Sequence, residues 1–273
     1  MGCVAVVALS LGVLSRVFGP KRLRFPYLSG SIAPAEYQAL ASRPGWSARQ
    51  ITVAPGIRLN GLVRRPQSAD APWVLFYQGN DAHMLKVGQA FLSRLAENLD
   101  WGLAVFAYRG YDSSDGLPRL PLLAADAPQI LEQLCATERT ERGRVHLVGF
   151  SIGGHIAVRA MTAAARLSPK PPSLTLLASV NDITMVPRSF YDRFDPGDDF
   201  QTSPYLADVP APVLVVQGTK DEALMGPEQG RAIAAALGSR AAYVELPGVG
   251  HVELMENGPA LAAARKFILD HSK

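Results

Sequence analysis

Cysteine is nearly absent: Cys3 and Cys135 are the two present in 273 residues. They stand far apart and in different contexts, which argues against a disulfide framework and leaves no zinc-binding spacing. Cys135 falls in the helix-like stretch Ile130-Leu131-Glu132-Gln133-Leu134-Cys135 and reads as a core residue. A strong charge of one sign is lacking too. The net charge is +3 and charged residues are 19% and scattered, so nothing marks a nucleic-acid surface. Carboxylate clusters suggestive of a metal are missing, and His251-Val252-Glu253 does not have the His-Glu-x-x-His spacing. With neither a P-loop nor a dinucleotide glycine fingerprint, no metal and no cofactor is expected. Internal repeats and low-complexity tracts are also missing. The apolar run from Cys3 to Ser15 falls short of the ~20 residues that a spanning helix requires.

What the chain does have is apolar material, 48% of residues, enough for a sizeable core. Its distribution alternates between two periods. Trp73–Tyr77, Leu103–Ala107, Val145–Val148, Leu174–Ala178 and Val213–Val216 are short continuous apolar runs, as expected of parallel strands covered on both faces. Ala242–Leu246 reads as a last strand. Helical patterns separate them, over Met84–Asn98, Leu122–Thr137, Ile152–Arg166, Pro227–Leu237 and Pro259–His271. Ahead of these, Gln50–Val53 and Ile57–Val63 alternate with period two around Pro55-Gly56, the pattern of a β-hairpin with one solvated face. The expected fold class is α/β: a mostly parallel, doubly wound sheet with an N-terminal antiparallel hairpin. One long connection, about 181–212, reads as a small lid-like insertion. The expected division is an N-terminal hydrophobic segment and basic linker over 1–28, then one domain over 29–273.

Chemistry in such a sheet gathers past the carboxyl ends of the strands. After Val145–Val148 comes Gly149-Phe150-Ser151-Ile152-Gly153, a serine between two glycines at a strand-to-helix turn. So tight a turn brings the positions two before and two after the serine against the neighbouring strand and helix. A Cβ there would collide, and Gly149 and Gly153 remove it. After Val213–Val216 comes Gln217-Gly218-Thr219-Lys220-Asp221, and after the last strand comes Gly248-Val249-Gly250-His251. A serine, an acid and a histidine thus follow three strands in the order Ser151, Asp221, His251. A serine hydroxyl needs a base to take its proton during attack. Histidine titrates in the right range, and a carboxylate fixes its tautomer.

With Gln78-Gly79-Asn80, Tyr108-Arg109-Gly110-Tyr111, Gly149–Gly153, Gly218-Thr219-Lys220-Asp221 and Gly250-His251 together, the chain resembles the α/β-hydrolase superfamily over roughly residues 50 to 271. It is most similar to the small esterase or lysophospholipase-like branch that often carries an N-terminal membrane segment. That resemblance implies Ser151 as nucleophile, His251 as general base and Asp221 as the orienting acid. The oxyanion donors are then the N–H of Ile152, at the helix N-terminus, and the N–H of Asn80, with Asp81 as the alternative second donor. The chain departs from the pattern at Gln78, where the related branch usually has histidine. The donors are backbone groups, so this change bears on how the loop is braced rather than on the donors.

Other residues compete for these roles. His146 lies in a strand and His271 on the terminal helix, and both read as structural or solvated. His155, one turn past Ser151, reads as packing, and His83 as a residue bordering the cleft. Asp182 also follows a core strand and is the alternative acid. Arg109 and Tyr111 read as loop-bracing groups.

The expected function is hydrolysis of small or medium carboxylic esters through an acyl-enzyme. Thioesterase, lysophospholipase or serine aminopeptidase-like activity would use the same residues, and a non-catalytic binding protein is the different-class alternative. The partner is then a small-molecule ester or lipid-like substrate. Phe190 and Phe194 in the insertion are expected either to border an acyl pocket or to fasten the loop. Cys3–Ser15, with Arg16, Lys21, Arg22 and Arg24 behind it, is expected to associate with a membrane through residues 3–18. The charge bias then places the hydrolase domain on the cytoplasmic side. Export through a signal peptide is the alternative.

Overall fold

The computed structural model describes residues 27–182, 201–221 and 226–272. The segment expected to meet a membrane, and Phe190 and Phe194, lie outside these residues.

In chain order the elements are helix α1 (Pro34–Ala41), strands β1 (Trp46–Ala54), β2 (Ile57–Arg64) and β3 (Trp73–Tyr77), helix α2 (Met84–Leu95), strand β4 (Gly102–Phe106), helix α3 (Leu120–Glu138), strand β5 (Val145–Phe150), helix α4 (Ile152–Ala163), strand β6 (Leu174–Leu177), helix α5 (Ser203–Leu206), strand β7 (Val213–Gly218), helix α6 (Gly226–Leu237), strand β8 (Ala241–Leu246) and helix α7 (Gly258–Asp270). The strands form one sheet in the order β1-β2-β4-β3-β5-β6-β7-β8. From β4 through β8 all pairings are parallel, whereas β1–β2 and β2–β4 are antiparallel.

The continuous apolar runs explain the centre of the sheet. Every residue of β3, β4, β5, β6 and β7 is buried, as parallel strands beneath helical crossovers require. The hairpin turns at Pro55-Gly56, where Gly56 has φ +71°, a conformation that costs glycine little. At the other edge β8 is only half-buried, as an edge strand can be. Helices α3 and α4 pack on each other, and so do α2 and α7. Arg265 of α7 donates to the carbonyls of Arg94 and Leu95 at the end of α2, which ties the two helices together.

The differences from the sequence reading are at element ends. Helix α2 stops at Leu95 rather than Asn98, because Asn98 takes φ +60° and cannot continue a right-handed helix. Helix α4 tightens into a 3₁₀ turn at Ala164–Arg166. Strand β1 begins at Trp46, ahead of the alternating stretch, because Trp46 to Arg49 pair with Arg64 to Gly61 of β2. In the described part of the insertion, α5 is a single short helix.

The strand order sets the position of a site. Strand β3 lies between β4 and β5, so the connections leaving β3 and β5 diverge and open a crevice above their carboxyl ends. The turns after β3, β5, β7 and β8 carry Asn80, Ser151, Asp221 and His251 respectively.

Candidate active site

Ser151 joins β5 to α4 with φ 56° and ψ −125°, a conformation that costs a non-glycine residue roughly 1–3 kcal/mol. The surroundings hold it there. Its N–H donates to the Leu177 carbonyl at 3.0 Å, and its own carbonyl accepts from the Gly154 N–H at 3.0 Å. A Cβ at Gly149 would stand 2.6 Å from both the Gly153 oxygen and the Gly154 Cα. A Cβ at Gly153 would run into the Tyr77 and Gln78 carbonyls at the end of β3. Both glycines are therefore required for the reason the sequence suggests. A third was not anticipated: Gly154 has no room for a side chain because Ser179 packs against it.

The acid and the histidine meet across two loops. His251 Nδ1 lies 2.7 Å from Asp221 Oδ2, and the Asp221 side chain is fully buried. Those loops are sewn together: the Thr219 N–H donates to the Leu246 carbonyl, the Lys220 N–H to the Val249 carbonyl, and the Gly248 N–H to Thr219 Oγ1. Glu253 Oε2 accepts from the Gly250 N–H at 3.0 Å, closing the turn that carries His251. The imidazole packs on the Phe150 ring at 4.8 Å between centroids, beside the residue that precedes Ser151. Gln217, buried at the end of β7, donates through Nε2 to the same Asp221 Oδ2 at 3.0 Å. Sequence reasoning passed over Gln217. The signal was a polar residue closing an otherwise apolar strand, four residues before the acid.

Asp182, the alternative acid, is positioned through its backbone. Its N–H donates to Gln229 Oε1 and its carbonyl accepts from Gln229 Nε2, both at 3.0 Å. The structure thus pairs His251 with Asp221.

Ile152 opens α4, where the first N–H groups of a helix have no intrahelical partner. Asn80 lies past β3, and its side-chain oxygen accepts from the Tyr111 hydroxyl at 2.7 Å and from the Leu28 N–H at 2.8 Å. At Gln78, the departure from the related pattern, the side-chain oxygen accepts the Gly79 N–H at 3.0 Å. The Gln78 carbonyl accepts the Tyr108 hydroxyl at 2.9 Å. Arg109 holds Asp126 of α3 in a two-pronged ion pair. Tyr108, Arg109 and Tyr111 therefore brace the loops, as read from the sequence for Arg109 and Tyr111.

The remaining histidines have other partners. Thr202 Oγ1 donates its hydrogen to the Val180 carbonyl at 2.6 Å, so at 3.1 Å from the same oxygen His155 Nδ1 is the donor. Burial, helped by the nearby Arg159 charge, lowers the His155 pKa to about 4, which keeps the ring neutral near pH 7. His146 bridges Ser173 Oγ at 2.7 Å and Ser272 Oγ at 3.0 Å, and burial lowers its pKa to about 3. His271 contacts the Phe267 carbonyl. His83 precedes α2, and its N–H donates to Asp81. Cys135 is half-buried, and burial pushes its thiol up to about 12. Among the described residues no three His, Cys, Asp or Glu side chains are grouped to hold a metal ion, and no helix is long and apolar enough to cross a membrane.

No family model matches the chain. It is 28% identical over 277 residues to an uncharacterised protein of Mycobacterium tuberculosis, spanning 98% of this chain and 94% of that one. It is 25% identical over 228 residues to the alpha/beta hydrolase domain-containing protein WAV2 of Arabidopsis thaliana, spanning 74% of this chain and 71% of that one. The structure is similar to that of the Pyrococcus furiosus esterase Pf2001, with a TM-score of 0.68 at 14% identity over 93% of this chain and 99% of the esterase.

Proposed function

We propose that the chain, which has the α/β-hydrolase fold, is a member of that superfamily and a serine hydrolase that cleaves carboxylic esters. The observation that carries this reading is the hydrogen bond from His251 Nδ1 to the buried Asp221 Oδ2, with the imidazole packed on Phe150, the residue before a serine held at positive φ. The roles follow from that geometry. Asp221 keeps the proton on Nδ1 and leaves Nε2 free to accept one. His251 takes the proton of Ser151 Oγ as that oxygen attacks the ester carbonyl. The N–H groups of Ile152 and Asn80 receive the charge that develops on the carbonyl oxygen. Collapse of the tetrahedral intermediate breaks the bond to the alkoxide, which leaves with the proton from His251. Water then attacks the acyl-Ser151 ester, again giving its proton to His251, and releases the acid.

A series of p-nitrophenyl esters of increasing acyl length tests the reading, with thioesters and aminoacyl amides alongside. Turnover is expected to be highest for small or medium acyl esters and to vanish in Ser151→Ala. Preference for long acyl chains, thioesters or amides would redirect the substrate class while keeping the residues. Replacing Phe190 and Phe194 by alanine shifts the chain-length preference if the insertion borders the acyl pocket. A loss of thermal stability with unchanged preference would assign them to fastening the loop.

The location of the protein is part of the proposal. The apolar stretch within residues 3–18 and the basic residues behind it are those of a membrane-associated segment, with the hydrolase domain on the cytoplasmic side. Full-length protein is then expected to sediment with membranes and stay there in high salt. Recovery of the intact chain wholly in the soluble fraction would refute this, and a mature N-terminus beyond Phe18 would indicate export.

A further inference from the structure

Residues 27–32 lie along the loops that follow β3 and β4, and Tyr27, Leu28, Gly30 and Ile32 are hydrogen-bonded to them or to the start of α3. The Tyr27 hydroxyl accepts from the Leu120 N–H at 2.7 Å, at the first residue of α3. The Leu28 N–H donates to Asn80 Oδ1 at 2.8 Å. The Gly30 N–H donates to the Gly110 carbonyl, and the Gly30 carbonyl accepts from the Ser113 N–H. The Ile32 N–H donates to Ser113 Oγ at 3.1 Å, and that hydroxyl donates back to the Ile32 carbonyl at 3.3 Å. Ile32 itself is buried in the core. The partner loop is under strain, with Asp112 at φ +42° and Ser113 at φ +63°. Asp112 Oδ2 in turn accepts from the Leu85 N–H at 2.7 Å, in the first turn of the helix that follows Asn80.

We propose that this N-terminal strap positions the oxyanion donor at Asn80. The inference rests on the serine-hydrolase reading and adds to it two positioning residues, Leu28 and Tyr111. A side-chain amide oxygen has two lone pairs. At Asn80 they are taken by the Leu28 N–H from the strap and the Tyr111 hydroxyl from the strained loop, two segments distant in sequence. Holding that oxygen from two sides fixes the side chain, and with it the orientation of the peptide N–H of the same residue. The orientation matters because a donor is effective only within roughly 0.5 Å and 10–20° of the productive geometry. The bonds to the oxyanion form in the transition state and not in the bound ester. Loosening Asn80 therefore slows turnover and leaves ester binding unchanged.

The test is made in the full-length chain. Leu28→Pro deletes the N–H without shortening the strap, and Tyr111→Phe deletes the other donor. Removing an oxyanion donor outright costs about 10²–10³-fold in kcat, so loosening one is expected to cost about 10-fold. Each variant is expected to show that drop in kcat for a p-nitrophenyl ester, with KM within about twofold of wild type. Affinity for an alkylboronic acid, which forms a tetrahedral adduct on Ser151, is expected to fall by a similar factor. A fold merely loosened by the substitutions would lower the unfolding temperature without this split between kcat and KM. Wild-type kcat in a folded Leu28→Pro, or a loss confined to KM, would overturn the strap, and wild-type kcat in Tyr111→Phe would remove Tyr111 from the positioning residues. If Leu28→Pro does not fold, Asn80→Ala decides: it keeps the peptide N–H and deletes the oxygen that the strap holds, and wild-type kcat there would overturn the strap. Ser151→Ala is measured alongside: loss of turnover there shows that the serine reading stands whatever the strap variants do. Turnover retained in Ser151→Ala overturns the reading itself, and the strap with it.

Discussion

Gly149→Ala is the smallest change that strikes the turn carrying Ser151. The new methyl would stand 2.6 Å from the Gly153 oxygen and from the Gly154 Cα, about 0.8 Å inside the 3.4 Å at which ordinary contact begins. Both obstacles are backbone atoms of α4, so no side chain can rotate away. The helix must retreat from β5 by most of that distance, and Ser151, whose carbonyl accepts the Gly154 N–H, moves with it. Overpacking of this kind costs typically 1–3 kcal/mol, and at this chain length each kcal/mol lowers the unfolding temperature by roughly 2–4 °C. The chemical cost is of similar size, because a misplacement of about 1 Å is worth about 10²-fold in rate, roughly 2.7 kcal/mol. The assays are thermal unfolding by circular dichroism and kcat/KM for a p-nitrophenyl ester. Gly258→Ala is the control: it opens α7, has nothing within 4 Å of the added Cβ, and should leave both values nearly unchanged. Wild-type stability and rate in Gly149→Ala would refute the steric account of the elbow.

Asp221→Asn is expected to lower kcat by several orders of magnitude, because the imidazole loses the acceptor-only carboxylate that fixes its tautomer and stabilises its charged form, while Asp182→Asn leaves kcat within a few-fold of wild type. The opposite ranking, read from steady-state kinetics, would show that Asp182 is the acid. Stability should fall in acid because of His155. Its folded pKa of about 4 lies below the ordinary 6.5, so the unfolded chain takes up the proton first as the pH falls. The stabilising contribution is full above about pH 6.5 and is lost toward pH 4, amounting to about 3 kcal/mol at most. Urea midpoints near pH 7 and pH 5 should differ less in His155→Gln than in wild type, with a residual dependence from His146. An unchanged difference would show that His155 is not the group responsible.

The sheet was legible because its strands are buried on both faces and announce themselves as apolar runs. Trp73–Tyr77 was read residue for residue. Helix ends were less so, since they depend on backbone conformations such as Asn98 at φ +60°, to which hydrophobic periodicity is blind. The start of β1 was missed because Trp46 to Arg49 carry little alternation and become strand only by pairing with β2. At the candidate site, Ser151, Asp221 and His251 could be picked out as candidates because each follows a strand in a glycine-containing turn, and the structure pairs the last two. Gln217 was not, because its role depends on a buried carboxylate that only the fold brings to it. The Leu28 and Tyr111 clamp on Asn80 joins segments remote from one another, and no local pattern records such a contact.

The central claim is that Ser151 is a nucleophile activated by His251. The most direct measurement is labelling of the full-length protein with a fluorophosphonate, followed by mass spectrometric mapping of the adduct. A single adduct on Ser151 is expected. That adduct should be lost in Ser151→Ala and strongly slowed in His251→Ala. No labelling of the folded wild-type protein, or an adduct on another residue that persists in Ser151→Ala, would contradict the claim.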